Sequence, residues 1–394
     1  MSYILGAKGD LVYNSVMRGL YIHIPFCKTR CHYCNFVTTA GHTSASRGRF
    51  FKALSAEIKN VRERFGLLSF DTLYLGGGTP SCLTLPEIKS LISEVRSSFE
   101  FKKGYEFTCE FNPGDGEDEK FAVYHSLGVN RVSLGCQAFQ EELLKKMGRR
   151  HTVRDIAGTV AGIWRAGIRN ISLDLMLRLP GQTVPDFQDS LRQCVELEAA
   201  QISLYDLEVH EETPFGDLEE AGKLGLPGEE EHARMYESAI KMLTGAGYEH
   251  YEISNFAKPG LASQHNLIYW RNQEYRGLGP GAFTYQNGVR SQFALGLDRY
   301  LEKCEAGQWQ NDIEDKLSEE EKETETLVTG LRLCEGVVPL EFPRIYPALK
   351  ERFKTLCAEG LMEIVRDRVR LTDRGKFLSE DVFKFLLRKE ERIY

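Results

Sequence analysis

The stretch Tyr21-Ile-His-Ile-Pro-Phe-Cys27-Lys-Thr-Arg-Cys31-His-Tyr-Cys34-Asn-Phe36 sets three cysteines at CxxxCxxC spacing directly after a short apolar run that reads as a strand. A single loop at a strand end can present all three thiolates. Thiolates are the usual ligands of iron–sulfur clusters, and a four-iron cluster held by three of them keeps one iron open to a further ligand. Two plainer readings fit the same residues. A structural zinc ion takes four closed ligands and would have to recruit His23, His32 or a distant group. Free cysteine with no chemical task is among the most buried residue types.

Outward from this stretch, residues 19–251 repeat one theme: an apolar run rich in β-branched and aromatic residues, a loop, then a stretch with helical spacing. Strands are expected at 20–24, 72–75, 106–111, 131–134, 170–175 and 201–207, and helices at 46–65, 86–99, 118–127, 153–165, 184–198 and 229–244. Alternating strands and helices imply a parallel sheet with right-handed crossovers. The expected fold class is therefore α/β, an incomplete (β/α)6 TIM-like barrel, with a doubly wound open sheet as the alternative.

On that frame the unusual residues all fall at the carboxyl ends of strands, where barrel enzymes build their sites. The three cysteines follow the first strand, and Gly76-Gly77-Gly78-Thr79-Pro80 follows the second. Glu110 and Asn112 end the third, Gln137 follows the fourth, Asp174 lies late in the fifth, and Glu208 to Glu211 follow the sixth. Consecutive glycines let backbone groups approach a ligand where a side chain would collide, although a plain tight turn uses glycine as well.

The CxxxCxxC loop with Tyr33 just before its last cysteine resembles the cluster loop of radical S-adenosylmethionine enzymes. The segments Tyr21–Cys27, Leu75-Gly-Gly-Gly-Thr-Pro-Ser81, Arg131-Val-Ser-Leu-Gly-Cys-Gln137, Leu179-Pro-Gly-Gln-Thr183 and Tyr251-Glu-Ile-Ser-Asn-Phe-Ala257 are similar to those of oxygen-independent coproporphyrinogen III oxidases. The resemblance implies a 4Fe-4S cluster on Cys27, Cys31 and Cys34. It further implies S-adenosylmethionine contacts from Tyr21, Gly77, Gly78, Thr79, Glu110, Gln137, Arg149 and Asp174. The oxidases carry a further cysteine two residues after the trio, where this chain has Phe36, and a longer N-terminal extension. The sister group of HemW-type haem chaperones lacks that cysteine and carries a His-Asn-x-x-Tyr-Trp motif, present here as His265-Asn-Leu-Ile-Tyr269-Trp270. The implied function is haem binding and delivery to an apo-haemoprotein acceptor, with His265 as a candidate haem ligand. The alternative is oxidative decarboxylation of a porphyrinogen. Two positions depart from the pattern: Phe283 stands where many chaperone-like relatives have His, and Leu177-Arg178 replaces a common Tyr-Gly pair.

A formal net charge of −7 argues against a nucleic-acid footprint, which is normally basic and clustered. No run reaches the ~18 apolar residues of a membrane span, and the first residues lack a secretory pattern. The expectation is a cytoplasmic protein whose ten cysteines are reduced, those outside the trio serving structure.

Residues 1–18 show no periodic pattern and read as an N-terminal extension, 19–255 as the barrel, and 256–310 as a connecting segment holding the His265 motif. Residues 311–394 read as a small α+β module. Its expected helices at 324–334 and 346–360, strand pieces at 362–365 and 369–371, and final helix at 380–388 resemble a winged-helix lid.

Overall fold

The structure, a computed structural model, describes residues 3–5, 11–13 and 17–387. A twelve-stranded sheet organises it. Six of its strands are parallel and consecutive: Gly19–Ile24, Ser69–Gly77, Glu100–Phe111, Arg131–Gln137, Asn170–Leu177 and Gln201–Asp206. Each after the first pairs with the one before it in the chain. A doubly wound sheet would reverse its strand order at a switch point. Unbroken sequential order is the barrel arrangement, and the sheet ends at Glu249–Glu252 on one side and Ile313–Lys316 on the other, leaving the barrel incomplete.

Period-two patterning explains why the sheet is covered on one face and hollow on the other. Leu20, Ile22 and Ile24, Leu73 and Leu75, Phe107 and Cys109, Val132 and Leu134, and Ile171 and Leu173 form one buried core with the crossover helices. The alternate residues point inward and bond to each other, as Tyr74 does to Glu110, Ser133 to Asp174, and Ser172 to Ser203. Barrel interiors are usually packed with branched apolar side chains. This one is polar, which is the first structural sign of a ligand-holding lumen.

The helices Ser44–Phe65, Leu85–Ser98, Asp118–Ser126, Val153–Arg165, Val184–Glu196 and Glu229–Gly245 supply the crossovers. Four of them open on a threonine whose hydroxyl accepts from the third helical amide, while the side chain at that position reaches back to the threonine amide: Thr43, Thr84, Thr152 and Thr183. Such caps contribute about 1 kcal/mol each and fix where the loop at the strand end stops. The third strand starts six residues before its expected position. Its exposed Glu100-Phe-Lys-Lys-Gly-Tyr105 portion lacks the apolar run that marks a buried strand, yet pairs with Ser69 and Phe70 across a register shift.

Residues 256–310 are not a mere connector. Tyr275–Leu278 joins the sheet parallel to Gly19–Ile24, and Phe283–Gln286, Val289–Gln292 and Ile313–Lys316 continue it antiparallel. Within 1–18, Tyr3–Leu5 pairs with Leu11–Tyr13. The C-terminal helices Glu319–Gly330 and Tyr346–Ala358, the hairpin Met362–Val365 with Arg368–Leu371, and the final helix Ser379–Leu387 pack around a separate core that includes Leu327, Phe353, Leu356, Val369 and Leu371. Arg388, the expected end of the last helix, lies outside the described residues. No helix among them is long and apolar enough to cross a membrane.

Candidate functional site

The cysteine loop leaves the first strand and is tied down by backbone bonds at both ends. Cys27 N donates to Thr39 O at 3.0 Å and His32 N to Met147 O at 3.0 Å. Cys27 is buried and Cys31 and Cys34 are half-buried, all as free thiols. Their sulfurs meet groups suited to a thiolate: the Thr79 hydroxyl lies 3.4 Å from Cys27 Sγ, and Arg149 Nη1 donates to Cys31 Sγ at 3.5 Å. Burial pushes the Cys27 thiol up to about 11 and raises Cys34. Three soft donors on one loop, one buried and two half-buried, fit an iron–sulfur cluster, which holds its cysteines as thiolates. No group of three His, Cys, Asp or Glu among the described residues is arranged to share one metal ion, as a closed tetrahedral zinc site requires. A four-iron cluster spreads its thiolates over separate irons.

The glycine loop has a packing role that the sequence did not disclose. Gly77 has φ +113°, and a Cβ there would stand 2.7 Å from the His23 ring. A Cβ at Gly78 would meet Phe26 O at 2.8 Å and Cys27 Sγ at 3.0 Å. The two loops are further joined by Gly78 N to Ile24 O and Thr79 N to Phe26 O, both 2.8 Å. Glycine is thus required for the second loop to seat the first.

Both loops face a cavity of ≈ 540 Å³, within the range of small-molecule sites. Cys27, Cys31, Cys34, Gly77, Gly78, Thr79, Glu110, Gln137, Arg149 and Asp174 all line it. Glu110 accepts from the Tyr74 hydroxyl at 2.8 Å and from Gly77 N at 3.2 Å. Burial nevertheless pushes it up to about 7, with Asp174 adding to the rise and the two donors opposing it. Asp174 is also raised by burial, against hydrogen bonds led by that from Ser133. Arg149 reaches across the floor to Asn112 Oδ1 and Gly135 O, both at 2.6 Å, and Asn112 in turn donates to Thr79. Gln137 adopts φ +67° where the fourth strand shifts register, a conformation non-glycine residues rarely hold outside functional or strained positions.

Two expected contacts lie elsewhere. Tyr21 sits beneath the lining, its ring 5.9 Å from that of Tyr74 and its hydroxyl 3.2 Å from His23 Nδ1. His265 is 1% exposed at the opposite end of the barrel. One ring nitrogen is 2.6 Å from the Thr72 hydroxyl and the other 2.9 Å from the Tyr269 hydroxyl. Burial lowers the imidazole to about 3, so it is neutral and fully partnered. The expectation of His265 as a haem ligand is corrected accordingly: both its nitrogens are partnered and it does not reach the cavity. Sequence reasoning passed over Tyr74, Ser133 and Tyr205. Their signal was the alternation of polar residues along strands whose other face is apolar.

The rim is apolar in part: Phe36 is 65% and Tyr205 45% exposed, and both line the cavity with Tyr33 and Met176. His210 is the histidine in that lining.

Residues 21–194 match the family model of the radical SAM superfamily. The chain is 36% identical over 376 residues to the heme chaperone HemW of Lactococcus lactis, covering 93% of this chain and 97% of that protein. It is 37% identical to the heme chaperone HemW of Bacillus subtilis, covering 93% and 98%, and 32% identical to that of Escherichia coli, covering 93% and 97%. Among solved structures, the radical SAM enzyme coproporphyrinogen III oxidase (HemN) of Escherichia coli superposes with a TM-score of 0.82 at 20% identity, covering 95% of this chain and 91% of that one. At that identity the likeness shows a shared fold.

Proposed function

We propose a function from the premise that the chain belongs to the radical SAM superfamily and, within it, to the HemW family. It is a haem carrier that binds a 4Fe-4S cluster on Cys27, Cys31 and Cys34, holds S-adenosylmethionine in the adjoining cavity, and passes haem to acceptor proteins. The observation that carries this reading is one cavity lined at once by three free thiols, the Gly77–Thr79 loop and the buried carboxylates Glu110 and Asp174. Bound there, the cluster supplies one-electron chemistry at an iron that cysteine does not hold.

This chain's own residues do the rest. Arg149 donates to Cys31 Sγ, and the Thr79 hydroxyl lies within hydrogen-bond reach of Cys27 Sγ, so polar partners stand beside two of the sulfurs that would hold the cluster. Glu110 accepts from hydroxyl or ammonium groups of the ligand. Asp174, held by Ser133 and Ser172, is a second acceptor across the lumen. The exposed rings of Phe36 and Tyr205 support an apolar guest such as a porphyrin at the mouth. His210 is the imidazole in the cavity lining that an iron porphyrin would meet.

Phe36 also favours the carrier over the oxidase, because its side chain has no thiol for a further step at that position. Anaerobically reconstituted protein titrated with haem should give a saturable Soret band that transfers to an apo-haemoprotein. Formation of protoporphyrinogen from coproporphyrinogen III at more than one turnover per chain would overturn the carrier reading.

A further inference from the structure

We infer that the His265-Asn-Leu-Ile-Tyr-Trp270 motif supports the site from beneath its lining: through Tyr74 it holds the Glu110 carboxylate in place, so that His265 and Tyr74 are positioning residues for the ligand above. The inference rests on the reading that S-adenosylmethionine occupies the cavity. It gives the motif a task distinct from ligating haem.

The motif forms the short helix Gln264–Trp270, which crosses the end of the barrel opposite the cysteine loop. Gly19, Thr72 and Glu106 are paired in register on three adjacent strands. All three touch the helix. A Cβ at Gly19 would stand 3.0 Å from His265 Cε1, Thr72 Oγ1 lies 2.6 Å from His265 Nδ1, and Glu106 accepts from His265 N and Gln264 N at 3.0 Å each. Tyr269, one turn on, closes the second ring nitrogen at 2.9 Å. The imidazole therefore has one orientation available. Its ring lies 5.0 Å from that of Tyr74, inclined 31°.

Tyr74 follows Thr72 on the same inward face, and its hydroxyl donates to Glu110 Oε1 at 2.8 Å. Gly76 completes the junction: a Cβ there would meet the rings of Tyr74 and Tyr21 at 2.8 and 2.9 Å and Glu110 Oε1 at 3.0 Å. A continuous column of contacts thus runs from the motif to the carboxylate. Around Glu110 the other ionisable groups are Asp174 and Arg131 across the lumen, the hydroxyls of Tyr21, Tyr205 and Tyr269, and the adjacent Cys109. Arg131 is buried with its Nε unpartnered. Tyr74 and Gly77 N are the donors that hold the ionised Glu110. Removing the hydroxyl raises the proton affinity of Glu110, so the carboxylate that accepts from the ligand forms only at higher pH.

The test is anaerobic calorimetry of S-adenosylmethionine on the reconstituted protein between pH 6 and 9, with a parallel haem titration. Tyr74→Phe should weaken binding at neutral pH by roughly tenfold, the worth of one charge-assisted hydrogen bond, and move the pH midpoint upward. His265→Phe should shift both in the same direction and leave the Soret band unchanged. Unaltered affinity and pH profile in Tyr74→Phe, a variant that keeps the ring and hence the packing, would overturn the inference. So would a Soret band lost in His265→Phe with S-adenosylmethionine binding intact. Wild-type protein that carries its cluster but binds no S-adenosylmethionine would fail the cofactor reading itself, and the inference with it.

Discussion

Gly78 lies against Cys27 so closely that a single added carbon would stand 3.0 Å from the cysteine sulfur. The third glycine of the loop is therefore part of the wall that fixes the thiols, in addition to any role at a ligand.

Gly78→Ala should therefore displace the cysteine loop without unfolding the barrel. Overpacking of this kind costs about 1–3 kcal/mol, and here the obstacle includes backbone oxygens that cannot rotate away. The expected result is a near-native circular dichroism spectrum with sharply reduced iron after reconstitution. Full iron content in the variant would show that the two loops are not in register as described.

A second prediction concerns Glu57, a fully buried carboxyl that accepts from Gly279 N and the Tyr300 hydroxyl, both at 2.8 Å. It ties the first crossover helix to the strand that extends the barrel. Burial pushes it up to about 7, opposed by those two bonds. Because its folded value is raised, its protonated form stabilises the protein fully below about pH 4.5, and that contribution disappears as pH rises through about 7. The size is on the order of 3 kcal/mol. The wild-type urea midpoint should fall relative to that of Glu57→Gln as pH rises from 5 to 8. Glu57→Gln keeps the acceptor and loses the proton, so the difference between the two slopes removes what both proteins share: Glu110, Asp174 and Glu252, whose burial acts in the same direction, and His151, His250 and His265, whose lowered values act in the opposite one. An unchanged slope would refute the assignment.

Arg178 takes φ +64° just after the fifth strand. This is why a glycine suits the position and why the Leu177-Arg178 pair stood out in the sequence. A left-handed conformation costs a non-glycine residue roughly 1–2 kcal/mol, more for a β-branched one. Arg178→Gly should leave stability within about 0.5 kcal/mol of wild type, because relief of strain is offset by the freedom glycine gains when unfolded. Arg178→Val should lower it by at least about 1 kcal/mol, measured as a urea midpoint. A valine variant as stable as the glycine one would contradict the strained backbone.

The six parallel strands and their crossover helices were legible in the sequence because local signals agreed: branched and aromatic apolar runs alternating with stretches of helical spacing. The thiols and the glycine loop were legible because their spacing is short and chemically specific. What escaped has a common cause, dependence on partners far along the chain. His265 could be read only as an imidazole beside two aromatics, since Thr72 and Glu106, which bury it, lie more than 150 positions away. Tyr275–Leu278 is too short to announce itself, and it is a strand because Gly19–Ile24 offers an edge. The polar lumen was visible in the alternation at Thr72, Tyr74, Glu106, Thr108 and Glu110, but apolar runs were read for strand content rather than for what their other face carried.

A cluster on Cys27, Cys31 and Cys34 with one iron open to S-adenosylmethionine is tested by electron paramagnetic resonance of the reduced, anaerobically reconstituted protein with and without S-adenosylmethionine. About four irons per chain are expected, lost in Cys31→Ala, with a reduced-cluster signal whose g values shift when S-adenosylmethionine is added, because one iron is open to it. A single zinc per chain that survives purification in air, or a cluster signal that S-adenosylmethionine leaves unchanged, would contradict it.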